Sequence, residues 1–114
     1  MKHDLKKIMK IVDEVTTYCM YHYKASRADI SIERAAAHYA MRFRFSDLTL
    51  PDKALDKLRE GLADDRNPEL EDYYWQLAGE VENSNELALV ALMTDEAEIS
   101  SQGNNLEITL VRNL

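Results

Sequence analysis

The chain has 114 residues, a formal net charge of −7 and an isoelectric point near 4.9, with 46% hydrophobic and 31% charged residues. This length and composition indicate one globular domain, residues 1–114, and exclude a globally disordered chain. The acidic balance argues against nucleic acid and anionic membrane surfaces as partners, and the single cysteine excludes an intrachain disulfide.

The first predicted element is an amphipathic helix over residues 4–24. Its apolar residues recur at steps of three and four, the spacing of one helix face. They are Leu5, Ile8, Met9, Val12, Val15, Cys19 and Tyr23. Because free cysteines are usually small buried hydrophobic residues, we expect Cys19 in the core rather than in a catalytic role.

Strict alternation of apolar and polar residues follows this helix. Ile30 and Ile32 alternate with Ser31 and Glu33, and the pattern resumes over residues 39–46. A period of two predicts a β-hairpin with one buried face. The residues of that predicted face are Ile30, Ile32, Tyr39, Met41, Phe43 and Phe45.

Three helices and a second hairpin are predicted for the rest of the chain. Pro51 and Asn67-Pro68 mark two helix starts, because proline suits the first turn and asparagine caps it. A third helix is predicted over residues 86–94. Alternation over residues 97–110, around a turn at Gly103, predicts the closing hairpin.

The predicted element order is therefore α-β-β-α-α-α-β-β. Because every strand alternates, one face of the sheet should be covered by helices and the other exposed to solvent. We predict an α/β (α+β) fold, a two-layer sandwich with a mainly antiparallel or mixed four-stranded sheet and helices on one face. The predicted solvent face carries charges that can pair across strands. They are Glu33, Arg42, Arg44, Glu98 and Glu107.

This order, together with two segments, resembles the GHKL ATPase fold, especially its smallest members, the anti-sigma-factor serine kinases. Residues 12–22, VDEVTTYCMYH, are similar to that family's first motif helix. There a Glu is followed four residues later by Asn, and four later again by His. Residues 87–114 resemble the family's final helix, acidic turn and closing hairpin. Residues 30–45 match its central hairpin in pattern.

Within the first motif, the resemblance places Glu14 at the family's general base and Tyr18 at the Asn that holds Mg²⁺. His22 falls at the family's His. Mg²⁺ requires compact oxygen donors, so a protonated phenol is a poor and bulky substitute. Glu14 and His22 lie about 12 Å apart along a helix and form no dyad by themselves. Their alternative role is a partly exposed helix surface.

The family's two glycine-containing motifs are altered in this chain. Asp47 stands where the resemblance places an Asp that reads the adenine amine, but no glycine follows it. The Gly-x-Gly before the final helix corresponds to Ser84, Asn85 and Glu86. Phosphate binds at helix starts through bare backbone N–H groups, and a carboxylate there repels it. The resemblance therefore implies lost nucleotide binding, with Tyr18, Asp47, Ser84 and Glu86 as relic positions.

Tyr73, Tyr74 and Trp75 follow one another in a predicted helix, and one helix face cannot bury three consecutive rings. At least one ring, Tyr73 or Trp75, should point away from the core. Such a ring either covers a sheet end or a loop, or anchors a partner, as Trp and Tyr do at interfaces. The acidic residues around it are a solvated rim or a face for a basic partner. They are Asp64, Asp65, Glu69, Glu71 and Asp72.

These features predict a non-catalytic regulatory or protein-interaction domain that derives from a GHKL ATPase. It would act through a protein partner or as a homodimer, without cofactor or metal, since the three histidines lack ligand spacing. One alternative is an active serine kinase or ATPase with a remodelled pocket built on Glu14 and Asp47. The other is an unrelated α/β domain that binds a small molecule. No apolar stretch approaches about 18 residues and the N-terminus is charged, so we expect a cytoplasmic protein.

Overall fold

The computed structural model describes residues 3–63, 66–75 and 86–114. These residues form helices and strands in the predicted order α-β-β-α-α-α-β-β. The helices are α1 (Asp4–His22), α2 (Ala54–Gly61), α3 (Pro68–Tyr74) and α4 (Glu86–Leu92). The strands are β1 (Arg27–Arg34), β2 (His38–Ser46), β3 (Glu96–Gln102) and β4 (Asn105–Asn113). No helix in these ranges is long and apolar enough to cross a membrane.

The four strands form one open sheet in the order β1-β2-β4-β3, and every neighbouring pair is antiparallel. Two hairpins, β1-β2 and β3-β4, therefore meet through their second strands. Helices pack on the sheet, which confirms the predicted α+β two-layer sandwich. Of the predicted antiparallel and mixed arrangements, the sheet adopts the antiparallel one.

The core lies between the helices and the two inner strands, β2 and β4. Phe43 pairs with Ile108 and Phe45 with Leu106, and all four side chains are buried. The Phe43 and Phe45 rings stack at 6.2 Å between centroids with an interplanar angle of 8°. The alternating pattern of these strands therefore predicted their buried face correctly.

The opposite face of the sheet is polar and carries the predicted cross-strand ion pairs. The Arg42 guanidinium donates to a Glu33 carboxylate oxygen at 3.0 Å, and Arg44 donates to Glu107 at 2.7 Å. Glu98 on β3 is exposed as well. Because these groups are exposed, the ion pairs contribute little to the free energy of unfolding, and this face of the sheet remains in contact with solvent.

Helix α1 is rotated relative to its predicted apolar stripe, although Ile8, Val15, Cys19 and Tyr23 of that stripe are buried as predicted. Leu5 and Met9 were expected in the core, but their exposed fractions are 55% and 49%. The buried face instead includes Ile11 and Glu14. The reason is that α1 packs against α4 as well as against β2, so its interior face turns toward Ile11. The helix also ends at His22, two residues before the predicted end.

The predicted buried face of β1 is also only partly correct. Ile30 and Ile32 pair with Phe43 and Met41 and so lie on the helix-covered face of the sheet. Each is nevertheless 40% exposed. The reason is that β1 is an edge strand, whereas α1 packs on β2 and α2 packs on β3.

The helix starts follow their predicted signals to different degrees. The Asn67 side chain accepts a hydrogen bond from the Leu70 backbone N–H at 3.2 Å, and Pro68 is the first helical residue, as predicted. Helix α2 begins at Ala54, three residues after Pro51. A left-handed Lys53, with φ of 65°, intervenes and delays the helix. Gly103, at φ of 60°, supplies the left-handed residue of the β3-β4 turn.

Candidate functional site

Glu14, the residue at the resemblance's general-base position, faces the interior of the domain. It lies on α1 and is only 5% exposed, so the alternative prediction of a partly exposed helix surface is wrong for this residue. Its neighbours Ile11 and Val15 are fully buried and fix that orientation. His22 is the last residue of α1 and is exposed. The two side chains are thus placed in different environments.

Tyr18 occupies the position where the resemblance implies a Mg²⁺ ligand, and its ring belongs to an aromatic cluster. The ring centroid lies 4.4 Å from that of His22 and 5.8 Å from that of Tyr23. Burial, together with the neighbouring Tyr18, raises the pKa of the Tyr23 hydroxyl. The Tyr18 ring also packs against the hydrophobic core. The ring therefore fills space beside α1, and a phenol is a bulkier ligand for Mg²⁺ than the compact oxygen donors that this ion requires.

Asp47 lies at the end of β2 in a left-handed conformation, with φ of 55°. Its carboxylate accepts a hydrogen bond from the Ser26 hydroxyl at 2.9 Å. This contact ties the start of β1 to the end of β2. Ser84 lies outside the described residues, as does the side chain of Glu86.

Neither a metal site nor a reactive thiol is found among the described residues. No group of three His, Cys, Asp or Glu side chains in residues 3–63, 66–75 and 86–114 is placed to hold a metal ion. Cys19 is fully buried in the core, as predicted, and burial raises the pKa of its thiol to about 12. The thiolate required for nucleophilic chemistry is therefore scarce at neutral pH.

Two residues of the aromatic triplet, Tyr73 and Trp75, differ in their exposure to solvent. Tyr73 is 73% exposed, which confirms that at least one ring points away from the core. Trp75 is half-buried and packs against the core, with its ring 5.8 Å from the His3 ring. The Lys7 ammonium lies 5.8 Å from the Trp75 ring centroid, within the range of a cation–π contact. The side chain of Tyr74 lies outside the described residues.

Trp75 borders an apolar groove on the outer surface of α1, with a volume of about 460 Å³. The half-exposed Leu5 and Met9 contribute most of its apolar lining, and the charged Lys6, Lys10 and Asp13 edge it. Leu5, Met9 and Trp75 therefore form one apolar patch beside α1. Tyr73 on α3 is exposed near this patch in sequence but does not line the groove. We call Leu5, Met9, Tyr73 and Trp75 the aromatic surface.

A buried ion cluster fixes α3 against α1 and β4. The Arg112 guanidinium donates to both Glu71 carboxylate oxygens, at 2.6 and 2.8 Å. The Lys7 ammonium donates to Glu71 at 2.7 Å and to Asp72 at 2.9 Å. Arg112 also donates to Asp4 at 3.2 Å. The aromatic surface is therefore positioned by charged groups, not only by apolar packing.

Arg66 extends this cluster to the strands. Its guanidinium donates to Glu71 at 3.3 Å, to Asp95 at 3.0 Å and to the Asn113 carbonyl at 2.8 Å. The Asp95 carboxylate in turn accepts from the Asn113 backbone N–H at 2.7 Å. The acidic turn that contributed to the GHKL resemblance thus binds the end of β4 to the segment before α3.

Hydrogen bonds and ion pairs within the cluster favour the charged forms of Glu71, Lys7 and Arg112. Burial alone would raise the pKa of Glu71, but hydrogen bonds from Arg112 and Lys7 lower it to about 2. Burial would similarly lower the pKa values of Lys7 and Arg112. Lys7, however, contacts Glu71 and Asp72, and Arg112 contacts Glu71 and Asp4. These contacts outweigh the effect of burial and raise both pKa values. A charged Lys7 is the form that contacts the Trp75 ring.

The sequence prediction missed this cluster, although one signal was present. Leu106, Ile108 and Leu110 alternate along β4 on the buried face, and the same period places Arg112 on that face. A buried arginine requires a buried carboxylate partner.

A scan of this chain against protein-family models, a search of curated proteins and a search of solved structures each gave no match.

Proposed function

We propose that this domain is a non-catalytic protein-interaction module of the cytoplasm, built on a GHKL-like framework that no longer binds Mg-ATP. The observation that supports the proposal is the burial and packing of two side chains in the first motif, residues 12–22. Glu14 is buried, and the Tyr18 ring is packed against His22 and Tyr23. A general base must reach the proton that it removes, and Mg²⁺ requires oxygen ligands in open, near-octahedral geometry.

The aromatic surface supplies a positive reason for an interaction role. Large apolar and aromatic side chains that remain exposed in a small domain mark binding surfaces when they are contiguous. Trp and Tyr are also the residues that contribute most to interface energies. Glu69 and Asp72 flank Tyr73 on α3 and are exposed. The partner that fits is a protein segment with apolar anchors and a basic rim.

Millimolar Mg-ATP is expected to leave the melting temperature of this protein unchanged. A ligand at about 100 times its Kd adds about 2.7 kcal/mol of stability, which is about 10–20 °C for a domain of this size. The measurement is a thermal-shift titration of the wild type beside Tyr18→Asn. A clear shift for the wild type would contradict the proposal and favour the active kinase or ATPase. A shift for Tyr18→Asn alone would identify the Tyr18 ring as the block to nucleotide.

Tyr73→Ser is expected to abolish binding of the partner protein without changing the fold. The matched control is Tyr21→Ser, because Tyr21 is 76% exposed and Tyr73 73%, and both lie on helices. The measurement compares the proteins captured from the native cell extract by the wild type and by each variant, with circular dichroism to check folding. A partner retained by the wild type and Tyr21→Ser, but lost by Tyr73→Ser, is the expected result. Equal retention by both variants would remove Tyr73 from the proposed surface.

A further inference from the structure

Strand β1 presents an open edge eight residues long. It pairs with β2 on one side, and no strand within the described ranges pairs with its other side. Every second N–H and C=O of an edge strand points outward and can pair with another chain. The segment contains neither proline nor lysine, the residues that commonly block such pairing.

The exposed side chains of β1 include an apolar pair. Ile30 and Ile32 lie on the helix-covered face, and each is 40% exposed, whereas their partners on β2, Phe43 and Met41, are buried. Among the described residues, α1 packs mainly on β2 and α2 on β3. A strand laid against this edge would extend the apolar face as well as satisfy the backbone.

The sequence of β1 is complementary to itself in one antiparallel register. With Ile30 opposite Ile30 of a second copy, Ala28 lies opposite Ile32 on the apolar face. On the polar face, Asp29 lies opposite Ser31, and Arg27 lies opposite Glu33. The twofold axis repeats each pairing, so two opposite-charge pairs form, one at each end.

The neighbouring register is less favourable. If Ile30 lay opposite Ile32 of the second copy, each side chain would keep its face of the sheet. Asp29 would then lie opposite Glu33, and like charges directly opposite each other destabilise a strand pair. The charges of β1 therefore select the pairing centred on Ile30.

The other sheet edge, β3, lacks these properties. Its polar face carries Glu96 and Glu98 with no basic residue in the strand, so no opposite-charge pair can form between two copies. The Ile99 carbonyl already accepts a hydrogen bond from the Arg59 guanidinium at 3.3 Å. Self-pairing is consequently favoured at β1 and disfavoured at β3.

We propose that two copies of this chain associate through their β1 edges, antiparallel and centred on Ile30, and join their sheets into one continuous sheet. The occupant of the edge is a second copy because the charges at Arg27 and Glu33 are complementary when β1 pairs with itself. This inference does not depend on the aromatic surface, which lies on α1 and α3. It also does not depend on the absence of nucleotide binding.

Sedimentation equilibrium of the full chain tests the proposal with charge-reversed variants. The wild type is expected to be a dimer. Arg27→Glu alone and Glu33→Arg alone should each weaken the dimer by about tenfold or more, since each turns both end pairs into like-charge pairs. An equimolar mixture of the two variants should regain wild-type affinity, because each chain then offers the opposite charges to its partner.

The matched control is the exchange Arg44→Glu with Glu107→Arg, which alters the same polar face on the inner strands. It should leave the dimer unchanged, and circular dichroism should show all variants folded. A monomeric wild type would overturn the proposal. A wild-type dimer that neither single reversal weakens would overturn it too, as would a mixture that does not recover.

Discussion

Replacing Glu71 with alanine is expected to lower the free energy of unfolding by about 3–5 kcal/mol, the range for breaking a buried ion pair from one side. Glu71 and Arg112 are only 2% and 1% exposed and meet in a bidentate pair. Removal of the carboxylate leaves the guanidinium and the Lys7 ammonium close together in the interior. Urea unfolding followed by circular dichroism at neutral pH measures the loss.

Two comparisons make this result specific to the buried charge. Glu107→Ala removes an ion pair of similar length, 2.7 Å, from the exposed sheet face and should cost far less. The double change Glu71→Leu with Arg112→Met removes both charges and should be less destabilising than Glu71→Ala. A loss for Glu71→Ala no larger than that for Glu107→Ala would show that the cluster does not stabilise the fold.

Acidification from pH 5 toward pH 2 is expected to remove about 3 kcal/mol of stability through Glu71 alone. Its pKa is lowered from an ordinary 4.5 to about 2 in the folded protein. A carboxyl whose pKa is lowered by folding stabilises the folded protein fully at pH values above its pKa in the unfolded chain. That stabilisation is lost as the pH falls through its pKa in the folded protein. At about 1.4 kcal/mol for each pKa unit, the lowered pKa corresponds to that loss.

The measurement is the free energy of unfolding at a series of pH values for the wild type and for Glu71→Gln. Glutamine keeps the size of the side chain but does not titrate, so this variant should lose less stability across the same pH window. Glu107→Gln, on the exposed sheet face, is the control and should follow the wild-type curve. If Glu71→Gln retained the full wild-type dependence, other carboxyls would have to be responsible.

The sheet could be predicted from sequence because its signal is local. The alternation in β2 and β4 reports which side chains are buried, and the same period placed Glu33, Arg42, Arg44 and Glu107 together on the solvent face, where they pair. The rotation of α1 could not be predicted in the same way. Leu5 and Ile11 are both apolar, and only the position of α4 decides which of them is covered.

The candidate site could be predicted only in part, for a related reason. Tyr73 was identified because three adjacent rings cannot share one helix face. Lys7 and Glu71 are separated by most of the chain, and neither is unusual on an amphipathic helix. Their meeting depends on tertiary packing of α1 and α3. The burial of Glu14 likewise depends on what packs against α1, so its local sequence indicated the wrong environment.

The strand order β1-β2-β4-β3 has a consequence for the timing of folding. β4 follows the other three strands in the sequence, yet it lies between β2 and β3. While the ribosome still holds residues 105–113, β2 has one open edge and β3 has no strand beside it. The sheet therefore closes only after β4 has been synthesised, and the Arg112–Asp4 contact joins residues 108 positions apart. A nascent chain stalled before β4 is expected to expose the apolar face of the first hairpin to chaperones.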